Sequence, residues 1–498
     1  MKTKILFFSI LIFIFSCSKE SENDIIEIDN SEPLSRAEIN EIIKNSIETS
    51  GDFNWMDTDA HTIWSALQYG EQLLTVGYGN SLDVVARSES STTIKDKLIA
   101  KINALEKENI AAKTEERLYV DEYINLFDIS ISNKKTIETL LADNTVRYIE
   151  PAAYNYFDKG ESNTAAKMMS DSGCGYNSQT IANADYTTIA PGARVPWAFY
   201  EHNIPSAWNY STGSGVTVAV IDTGLSPQQS WLNSNFNDGY SSGRTVEKYG
   251  TFIDSSWWWS SNYDGVNDKC GHGTNMAAVA TAPRNNDNLP VGVAYNANLV
   301  SYRAVEDVVI DDYHERKGVA DALTALGNRS DVRVISMSIG SPFSNSRVSD
   351  AIKYAYNKGK MIIAAGGTST SFTTWYGVIF PANMSQTVAV TGVKEGQYTK
   401  CDVCHSGSEI DFTIQMQRTN GTDNKIPTMS YYNGSSAYTG GSSIATATTA
   451  GIAALIWSKN PSWSRAQVLA KMQQSSEFYP NKSSNFGYGN IDALKAVQ

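Results

Sequence analysis

From residue 196 to the end, continuous apolar runs alternate with stretches in which apolar residues recur at helical spacing. Five runs are predicted to be strands: 216–221, 298–305, 332–339, 361–365 and 387–393. Four stretches are predicted to be helices: 316–327, 347–358, 444–457 and 465–474. Apolar strands that alternate with helices are typical of a parallel sheet covered on both faces. The pattern therefore predicts an α/β domain over residues 196–498.

A smaller pattern of strands and helices occupies residues 80–157. The predicted elements are, in chain order, a strand, a helix, a strand, a helix and a strand: 83–87, 93–108, 118–131, 134–143 and 145–149. This mixture predicts a small α+β domain.

The remaining segments lack such a pattern. Residues 18–79 are predicted to be an acidic tether and N-terminal extension, because the polar, acidic composition up to about residue 50 indicates tether or disorder. Residues 158–195 carry Gly, Ser, Asn and Asp without periodicity, and are predicted to be a linker that contains a cleavage site.

The first 17 residues have the composition of an export signal. A positive start (residues 1–4) precedes a mostly apolar run (5–15) that is too short to span a bilayer but suits a secretory signal peptide. The sequence Ile14-Phe15-Ser16-Cys17 resembles a bacterial lipobox, in which cleavage leaves Cys17 as a lipidated N-terminus. Ser18 follows this cysteine, and by analogy this favours anchoring in the outer membrane of the bacterial cell envelope. The alternative is a plain signal peptide with a chance cysteine.

Charge excludes one class of partner. The 498 residues include 40 Lys and Arg against 53 Asp and Glu, a net charge of −13, so there is no basic field to attract nucleic acid. A hydrophobic content of 41% and a charged content of 19% are those of an ordinary globular protein. The length allows two or three domains.

Four cysteines lie beyond the leader: Cys174, Cys270, Cys401 and Cys404. In an exported chain an even number predicts up to two disulfides, for which three pairings are possible. The stretch from Cys401 to His405 also fits the CxxCH pattern of haem attachment, but no apolar haem pocket is evident around it. A local loop disulfide is the favoured interpretation.

Three residues at strand or helix ends carry candidate chemistry. Asp222 closes the apolar run 216–221, and ligands collect at the carboxyl ends of such strands. His272 opens a predicted buried helix, between two glycines. Ser443 precedes an almost wholly apolar helix, whose first turn directs N–H groups and dipole toward a developing anion. Each residue alone is better explained as a turn, cap or loop residue; together they form an Asp…His…Ser set.

The segments around these residues resemble the three signatures of the subtilisin-like serine proteases, the subtilases. They are Val-Ile-Asp222-Thr-Gly, Gly-His272-Gly-Thr and Gly-Ser-Ser443-Ile-Ala-Thr, in the chain order of that family. The resemblance covers about residues 196 to 498 and implies a subtilisin-like three-layer α/β fold and a serine endopeptidase. Ser443 would be the nucleophile, His272 the general base, and Asp222 the group that orients the imidazole.

The resemblance also implies a substrate cleft and a propeptide. Ser338-Ile339-Gly340 matches the segment that pairs with an extended peptide, and Phe380-Pro381 matches a segment near the pocket for the residue before the cut; Ala365 and Gly366 belong to the same cleft. Residues 80–150 resemble the family's inhibitory propeptide, with 146–151 as its final strand. By analogy it assists folding, occludes the cleft and is removed autocatalytically between about 151 and 197.

Two positions depart from the family pattern. Gly367 stands where the family usually has the Asn that donates to the oxyanion, and losing one such donor costs roughly 100- to 1,000-fold in turnover. The backbone N–H of Ser443 would remain, and Thr368 is a candidate to supply a hydroxyl or a water. Ala447 replaces a frequent proline, with little expected effect.

Other features are assigned to ordinary structure. The insertion Ser255-Ser-Trp-Trp-Trp-Ser260 is interpreted as a satellite apolar cluster, with an aromatic substrate wall as the alternative. Five acidic residues are candidates for calcium or for basic substrate residues, although solvated loops are favoured: Asp264, Asp268, Asp307, Asp311 and Asp312. No metal spacing is evident, no cofactor is required, and structural calcium is possible.

Two functional hypotheses follow. The first is a lipid-anchored serine endopeptidase made as a self-inhibited zymogen, whose partners are protein or peptide substrates, its own propeptide and the lipid bilayer. The second is a catalytically impaired lipoprotein of the same fold that binds peptides, which Gly367 favours.

Overall fold

The computed structural model describes residues 32–79, 89–106, 118–156, 174–176, 178–368, 377–419 and 425–498. Cys17 and the strand predicted at 83–87 lie outside these residues. Within them, no helix is both long and apolar enough to cross a membrane.

The N-terminal part is a helical extension followed by an antiparallel sheet. Its elements are α1 (Arg36–Ser50), α2 (Ala60–Leu67), β1 (Leu73–Tyr78), α3 (Glu89–Glu106), β2 (Leu118–Val120), β3 (Leu126–Ser130), α4 (Lys134–Leu141) and β4 (Val146–Pro151). The strands pair in the order β2-β3-β1-β4. The predicted helices at 93–108 and 134–143 and the strand at 145–149 are confirmed, whereas 118–131 is a hairpin of two strands.

The prediction of tether or disorder up to about residue 50 is wrong for α1. Ser35 and Glu38 form a capping box at its start, and its three buried isoleucines, four residues apart, make one apolar stripe. This stripe packs against Phe53 and Tyr154. The sheet also begins earlier than residue 80, because β1 (Leu73–Tyr78) is one of its two interior strands.

The end of the predicted linker is structured as well. A short 3-10 helix (Asn183–Asp185) leads into a two-stranded hairpin of β5 (Tyr186–Ile189) and β6 (Ala193–Pro196). Two short helices follow, α5 (Trp197–Glu201) and α6 (Ile204–Ala207). The linker prediction is therefore wrong for its last part.

The C-terminal part is built on a seven-stranded parallel sheet. Its remaining elements are β7 (Thr217–Asp222), β8 (Val246–Gly250), α7 (His272–Thr281), β9 (Asn298–Arg303), α8 (Tyr313–Asn328), β10 (Val332–Met337), α9 (Ser346–Asn357), β11 (Met361–Ala365), β12 (Thr387–Lys394), β13 (Ile410–Gln417), β14 (Ile426–Met429), β15 (Ser436–Thr439), α10 (Gly441–Lys459), α11 (Arg465–Gln474) and α12 (Ala493–Val497). The strand order is β13-β12-β11-β10-β7-β9-β8. The predicted α/β architecture is confirmed.

Helices cover both faces of this sheet. Val218 of β7 faces the cluster that contains the buried residues of α10, while its neighbour Ala219 faces the cluster formed with α8 and α9. Successive strand residues point to opposite faces, which is why the strands are apolar without interruption.

Two buried ion pairs join the N-terminal sheet to the C-terminal domain. Arg147 of β4 donates to Asp350 of α9 at 2.5 Å, and Arg347 of α9 donates to Asp128 of β3. All four side chains are almost fully buried. The N-terminal sheet therefore packs on the outer helices of the parallel sheet.

Candidate active site

Asp222 and His272 meet at the carboxyl edge of the parallel sheet. β7 ends at Asp222, and α7 begins at His272. Nδ1 of His272 lies 2.8 Å from Oδ1 of Asp222, and both side chains are buried. A carboxylate that accepts from Nδ1 holds the proton there and leaves Nε2 as the acceptor.

Asp268 is a buried part of this site, and its prediction as a solvated loop residue is wrong. Its Oδ1 accepts from the backbone N–H groups of Cys270 and Gly271, at 2.8 and 2.7 Å. Its Oδ2 accepts from the backbone N–H and hydroxyl of Thr274, at 3.0 and 2.5 Å. The carboxylate thus satisfies the free N–H groups at the start of α7, and it holds the turn that carries His272.

Thr223 links this cap to the acid. Its hydroxyl donates to Asp268 at 2.9 Å and accepts from the N–H of Gly273, also at 2.9 Å. Its own N–H donates to Asp222 at 2.8 Å. One connected network therefore fixes the relative positions of Asp222 and His272.

Opposing effects act on the pKa of His272. Burial lowers the pKa, but the charge and hydrogen bond of Asp222, together with the charges of Asp268 and Asp307, raise it by more. The pKa consequently lies above the ordinary value of 6.5. An imidazole with this property is a stronger base once it is neutral.

Ser443 lies in the first turn of α10, which begins two residues before it. Its hydroxyl donates to the carbonyl of Ser338 at 3.4 Å, and the hydroxyl of Ser338 donates back to the carbonyl of Ser443 at 3.0 Å. Within the described residues, Ser443 and His272 share no hydrogen bond. Such catalytic contacts are often long without substrate and shorten in the complex.

The space where an oxyanion-binding side chain would stand is filled by another residue. A Cβ added at Gly367 would come within 2.9 Å of Cγ of His405, and Gly367 has φ of +125°. His405 donates its backbone N–H to the carbonyl of Gly367 at 3.0 Å, and its ring Nδ1 lies 2.9 Å from the carbonyl of Gly377. Burial lowers the pKa of His405 to about 4, so the ring is neutral.

A pair of hydroxyls lies beside this glycine. Oγ1 of Thr368 is 3.1 Å from Oγ of Ser442, which also accepts from the N–H of Gly367 at 3.2 Å. Ser442 immediately precedes Ser443. Sequence reasoning named Thr368 but missed Ser442 and His405. The available signals were the position of Ser442 directly before Ser443 and that of His405 directly after Cys404.

The predicted peptide-binding edge at Gly340 is already paired within the chain. Its N–H donates to the carbonyl of Val308 at 3.1 Å, and its carbonyl accepts from the N–H of Ile310 at 2.9 Å. The next residue, Ser341, exchanges two backbone hydrogen bonds with Phe380. An extended peptide at Gly340 would have to replace the pairing with Val308 and Ile310.

The other predicted cleft residues lie close to this edge. Ala365 ends β11, and Gly366 donates its N–H to the carbonyl of Val390 at 2.8 Å while its carbonyl accepts from Ile379 at 3.1 Å. Ile339 is buried. Phe380 is buried and precedes Pro381.

The prediction of a solvated loop residue is also wrong for Asp307, which is buried and accepts from the N–H of Val309 at 2.8 Å. Asp264 pairs with Arg303 at 2.5 Å and with Lys269 at 2.6 Å. Asp311, Asp312 and Glu315 place carboxylate oxygens within 4.8 Å of one another, but both oxygens of Glu315 accept backbone N–H groups. Structural calcium therefore stays a prediction without an assigned site.

The tryptophan insertion contacts the N-terminal part. Trp258 is buried with Leu73, Ala152 and Tyr313, which agrees with a satellite apolar cluster. Trp257 and Trp259 are exposed and contact each other, with ring centroids 4.9 Å apart.

The predicted local disulfide between Cys401 and Cys404 is present, and the other two cysteines, Cys174 and Cys270, form the second. Of the three possible pairings, the structure contains the one that joins Cys174 to Cys270 and Cys401 to Cys404.

A carboxylate–imidazole pair at the carboxyl edge of a parallel α/β fold matches two members of the Ser-His-Asp arrangement of hydrolytic enzymes. The family model described as the subtilase family matches residues 213–489, and the chain belongs to this family of serine proteases. It is 30% identical over 301 residues to a subtilisin of Bacillus sp. (strain TA39), covering 58% of this chain and 67% of that protein. It is 28% identical over 294 residues to thermitase of Thermoactinomyces vulgaris, covering 59% and 92%.

Solved structures with similarity to the chain include MycP1 from Mycobacterium smegmatis. That structure matches 65% of this chain and 89% of its own, with 20% identity and a TM-score of 0.45. A structure of MycP1 with the N-terminal propeptide removed matches 61% and 96%, with 21% identity and a TM-score of 0.47.

Proposed function

We propose that this subtilase is a serine endopeptidase that uses Asp222, His272 and Ser443 as its triad. The 2.8 Å contact between His272 and Asp222 is the observation that carries the proposal. Nε2 of His272 takes the hydroxyl proton as Ser443 attacks the peptide carbonyl, and then gives it to the leaving amine. Asp222 keeps the ring oriented and stabilises its charged form. The reaction requires no cofactor.

The oxyanion would be bound without the usual side-chain amide. The backbone N–H of Ser443 at the start of α10 is one donor, and the hydroxyl pair of Thr368 and Ser442 supports a second. His405 is not this donor, because the carbonyl of Gly377 accepts from its Nδ1 and the neutral ring keeps a lone pair on Nε2.

We further propose that the enzyme is made as a zymogen. Support comes from the contact of the N-terminal sheet with α8 and α9. Glu150 of β4 accepts from the N–H of Ser346 at 2.9 Å and from Asn345 at 3.0 Å, at the beginning of α9. Arg316 of α8 donates to the carbonyl of Ala152 at 3.1 Å. Cleavage after this sheet would be needed to release the C-terminal domain.

Export and lipidation at Cys17 complete the proposal. The sequence pattern supports a leader of residues 1–17 and attachment to the outer membrane. We propose the following domains after the leader: a tether and extension up to residue 79, a propeptide at 80–157, a linker at 158–195 and a catalytic domain at 196–498. The helix α1 and the strand β1, which precede residue 80, belong to the folded N-terminal part.

The first experiment compares protein lacking residues 1–17 with its Ser443→Ala variant, and follows both by intact mass over time. We expect the parent to lose its N-terminal 150–200 residues, as the maturation region implies, while the variant stays whole. The competing function is a peptide-binding protein, which the missing amide at Gly367 favours. It is supported if both proteins stay whole and a fluorophosphonate fails to label the parent after another protease has clipped the propeptide.

A further inference from the structure

A surface segment, residues 174–176 and 178–182, contacts the two elements that carry the proposed base and nucleophile. We call it the strap. It lies in the middle of the predicted linker, before β5, and it is mostly exposed. Neither the triad nor the cleft described above uses it.

The first end of the strap is attached directly in front of His272. Cys174 forms a disulfide with Cys270, and the N–H of Gly175 donates to the carbonyl of Cys270 at 2.8 Å. The hydroxyl of Tyr176 donates to the carbonyl of Lys269. Three consecutive strap residues therefore hold the backbone just before the N-cap of α7.

Gly271 shows how closely the strap fits this turn. The residue is the N-cap of α7, with φ of +94°, and a Cβ added there would lie 2.5 Å from the carbonyl oxygen of Gly175. Glycine is required both by the left-handed backbone and by the approach of the strap.

The second end of the strap is attached in front of Ser443. The N–H of Gln179 donates to the carbonyl of Ser436 at 2.8 Å, and its side-chain oxygen accepts from the N–H of Tyr438 at 2.9 Å. The hydroxyl of Tyr438 accepts from the N–H of Ala182 at 3.0 Å. Both partners belong to β15, which leads through Gly440 into α10.

An aromatic contact lies between the two ends. The ring of Tyr176 is 4.1 Å from the ring of Tyr431 and 6.2 Å from that of Tyr432, measured between centroids. Both tyrosines lie just before β15 in the chain. Tyr176 is thereby hydrogen-bonded to the turn before His272 and packed against the segment that leads into β15.

We propose that the strap is a positioning element, which holds the turn of His272 and the strand leading to Ser443 at a fixed separation. This inference rests on the proposed triad. Direct contacts between the two sides also exist. Met276 of α7 and Ile444 of α10 belong to one buried apolar cluster, and Nδ2 of Asn275 donates to the hydroxyl of Thr439 at 3.3 Å, so the strap adds to these contacts at the open ends of the two helices. Proton transfer needs the base and nucleophile in hydrogen-bond reach, and small displacements are costly.

Selective reduction tests the proposal. Cys174 is exposed, whereas Cys401 and Cys404 are buried, so a mild reductant opens the strap first. On enzyme matured by a cut before Cys174, in which the strap stays part of the chain, and with a peptide p-nitroanilide as substrate, we expect reduction to lower kcat about tenfold with little change in KM, and reoxidation to restore it. The double variant Cys174→Ser/Cys270→Ser should match the reduced parent, and reductant should not change it further.

A milder variant covers the case in which the double variant fails to mature. Tyr176→Phe keeps the ring contacts and removes only the bond to Lys269, so kcat should fall a few-fold; Tyr240→Phe, which removes another exposed hydroxyl, is its control. The proposal is overturned if reduction and Tyr176→Phe both leave kcat unchanged in an active parent. A parent that fluorophosphonate does not label contradicts the proposed function instead.

Discussion

The ring of His405 occupies the space that a side chain at Gly367 would need. The position at which the family pattern predicts an asparagine is therefore filled by the ring of His405 and is not left empty by the glycine. The histidine bonds the carbonyls of Gly367 and Gly377 through its backbone and ring, so the two positions are adapted to each other. A change at one position alone should then be unfavourable.

Restoring the usual asparagine should consequently fail. Gly367→Asn introduces a clash and an unfavourable positive φ, so we expect a loss of about 2–3 kcal/mol in stability and no gain in kcat. Thermal unfolding and peptide hydrolysis measure both effects. The double variant Gly367→Asn/His405→Gly removes the ring and should recover much of the stability. A single variant with unchanged stability and higher kcat would contradict the assignment.

Acid should destabilise the protein through two buried histidines. Burial lowers the pKa of His202 and of His405 to about 4, from 6.5. The unfolded state therefore binds more protons between pH 6.5 and 4, and stability falls as the pH falls through this window. Each histidine accounts for a loss of up to about 3 kcal/mol below that range. His405→Asn should flatten the dependence of Tm on pH. An unchanged slope would show that His405 does not contribute to the loss of stability in acid.

Asp268 should control both the position and the pKa of His272. Asp268→Asn removes one of three carboxylate charges that favour the imidazolium, the others being Asp222 and Asp307. The acid limb of the pH profile of kcat/KM should move to lower pH, because the base is neutral over a wider range. The disturbed cap of α7 should also lower kcat roughly 10- to 100-fold.

Asp307→Asn is the matched control for this prediction. It removes a similar charge, but its carboxylate accepts from the N–H of Val309 at 2.8 Å and does not cap α7 in the way that Asp268 does, so the acid limb should shift and kcat should fall less than in Asp268→Asn. Equal losses of kcat in the two variants would show that Asp268 does not act by positioning.

The buried pair of Arg147 and Asp350 should hold the cleaved N-terminal part on the protease. Among the residues that the structure describes, Arg147→Ala leaves buried Asp350 with Tyr148 as its remaining side-chain partner, at a cost of about 3–5 kcal/mol. After maturation, size-exclusion chromatography should show the fragment separating from the catalytic domain. Lys101→Ala, which breaks an exposed pair with Asp143 on the same part, should leave the fragment bound.

Long peptides should have to displace residues 308–310 from Gly340. Val309→Gly weakens the packing of this segment, so KM for a tetrapeptide substrate should fall, while hydrolysis of a single-residue ester should change little. Val403→Gly alters a more exposed valine and serves as the control. A KM that is the same in all three proteins would indicate that peptides bind elsewhere.

Local patterns predicted the framework well and the contacts between distant segments poorly. The apolar strands and the helices between them followed from periodicity. The strands are buried on both faces, and most of the helices are buried along one stripe. The three isoleucines of α1 carried the same signal, but the polar residues around them concealed it. The edge strands β8 and β13 were missed because their sequences mix polar and apolar residues.

The candidate site shows the same limit. Asp222, His272 and Ser443 were found because each stands in a short local motif. The role of Asp268 was missed although its partners in the cap of α7 lie within six residues, and its link to Thr223 spans 45 residues. The ring of His405 contacts a carbonyl 28 residues away, which no local motif reveals. The pairing of Cys174 with Cys270, across 96 residues, is of this kind as well.

That disulfide makes the outcome of maturation depend on which bond is cut. It closes a covalent ring from Cys174 to Cys270. A single cut inside the ring leaves one molecule, and with a lipid at Cys17 the protease would stay at the membrane. A cut before Cys174 separates two molecules, and the protease diffuses away once the noncovalent contacts are released. Under the proposed lipidation at Cys17, the position of the cut therefore decides whether the enzyme is surface-bound or freely diffusing, and in the first case a reductant would remove the covalent link.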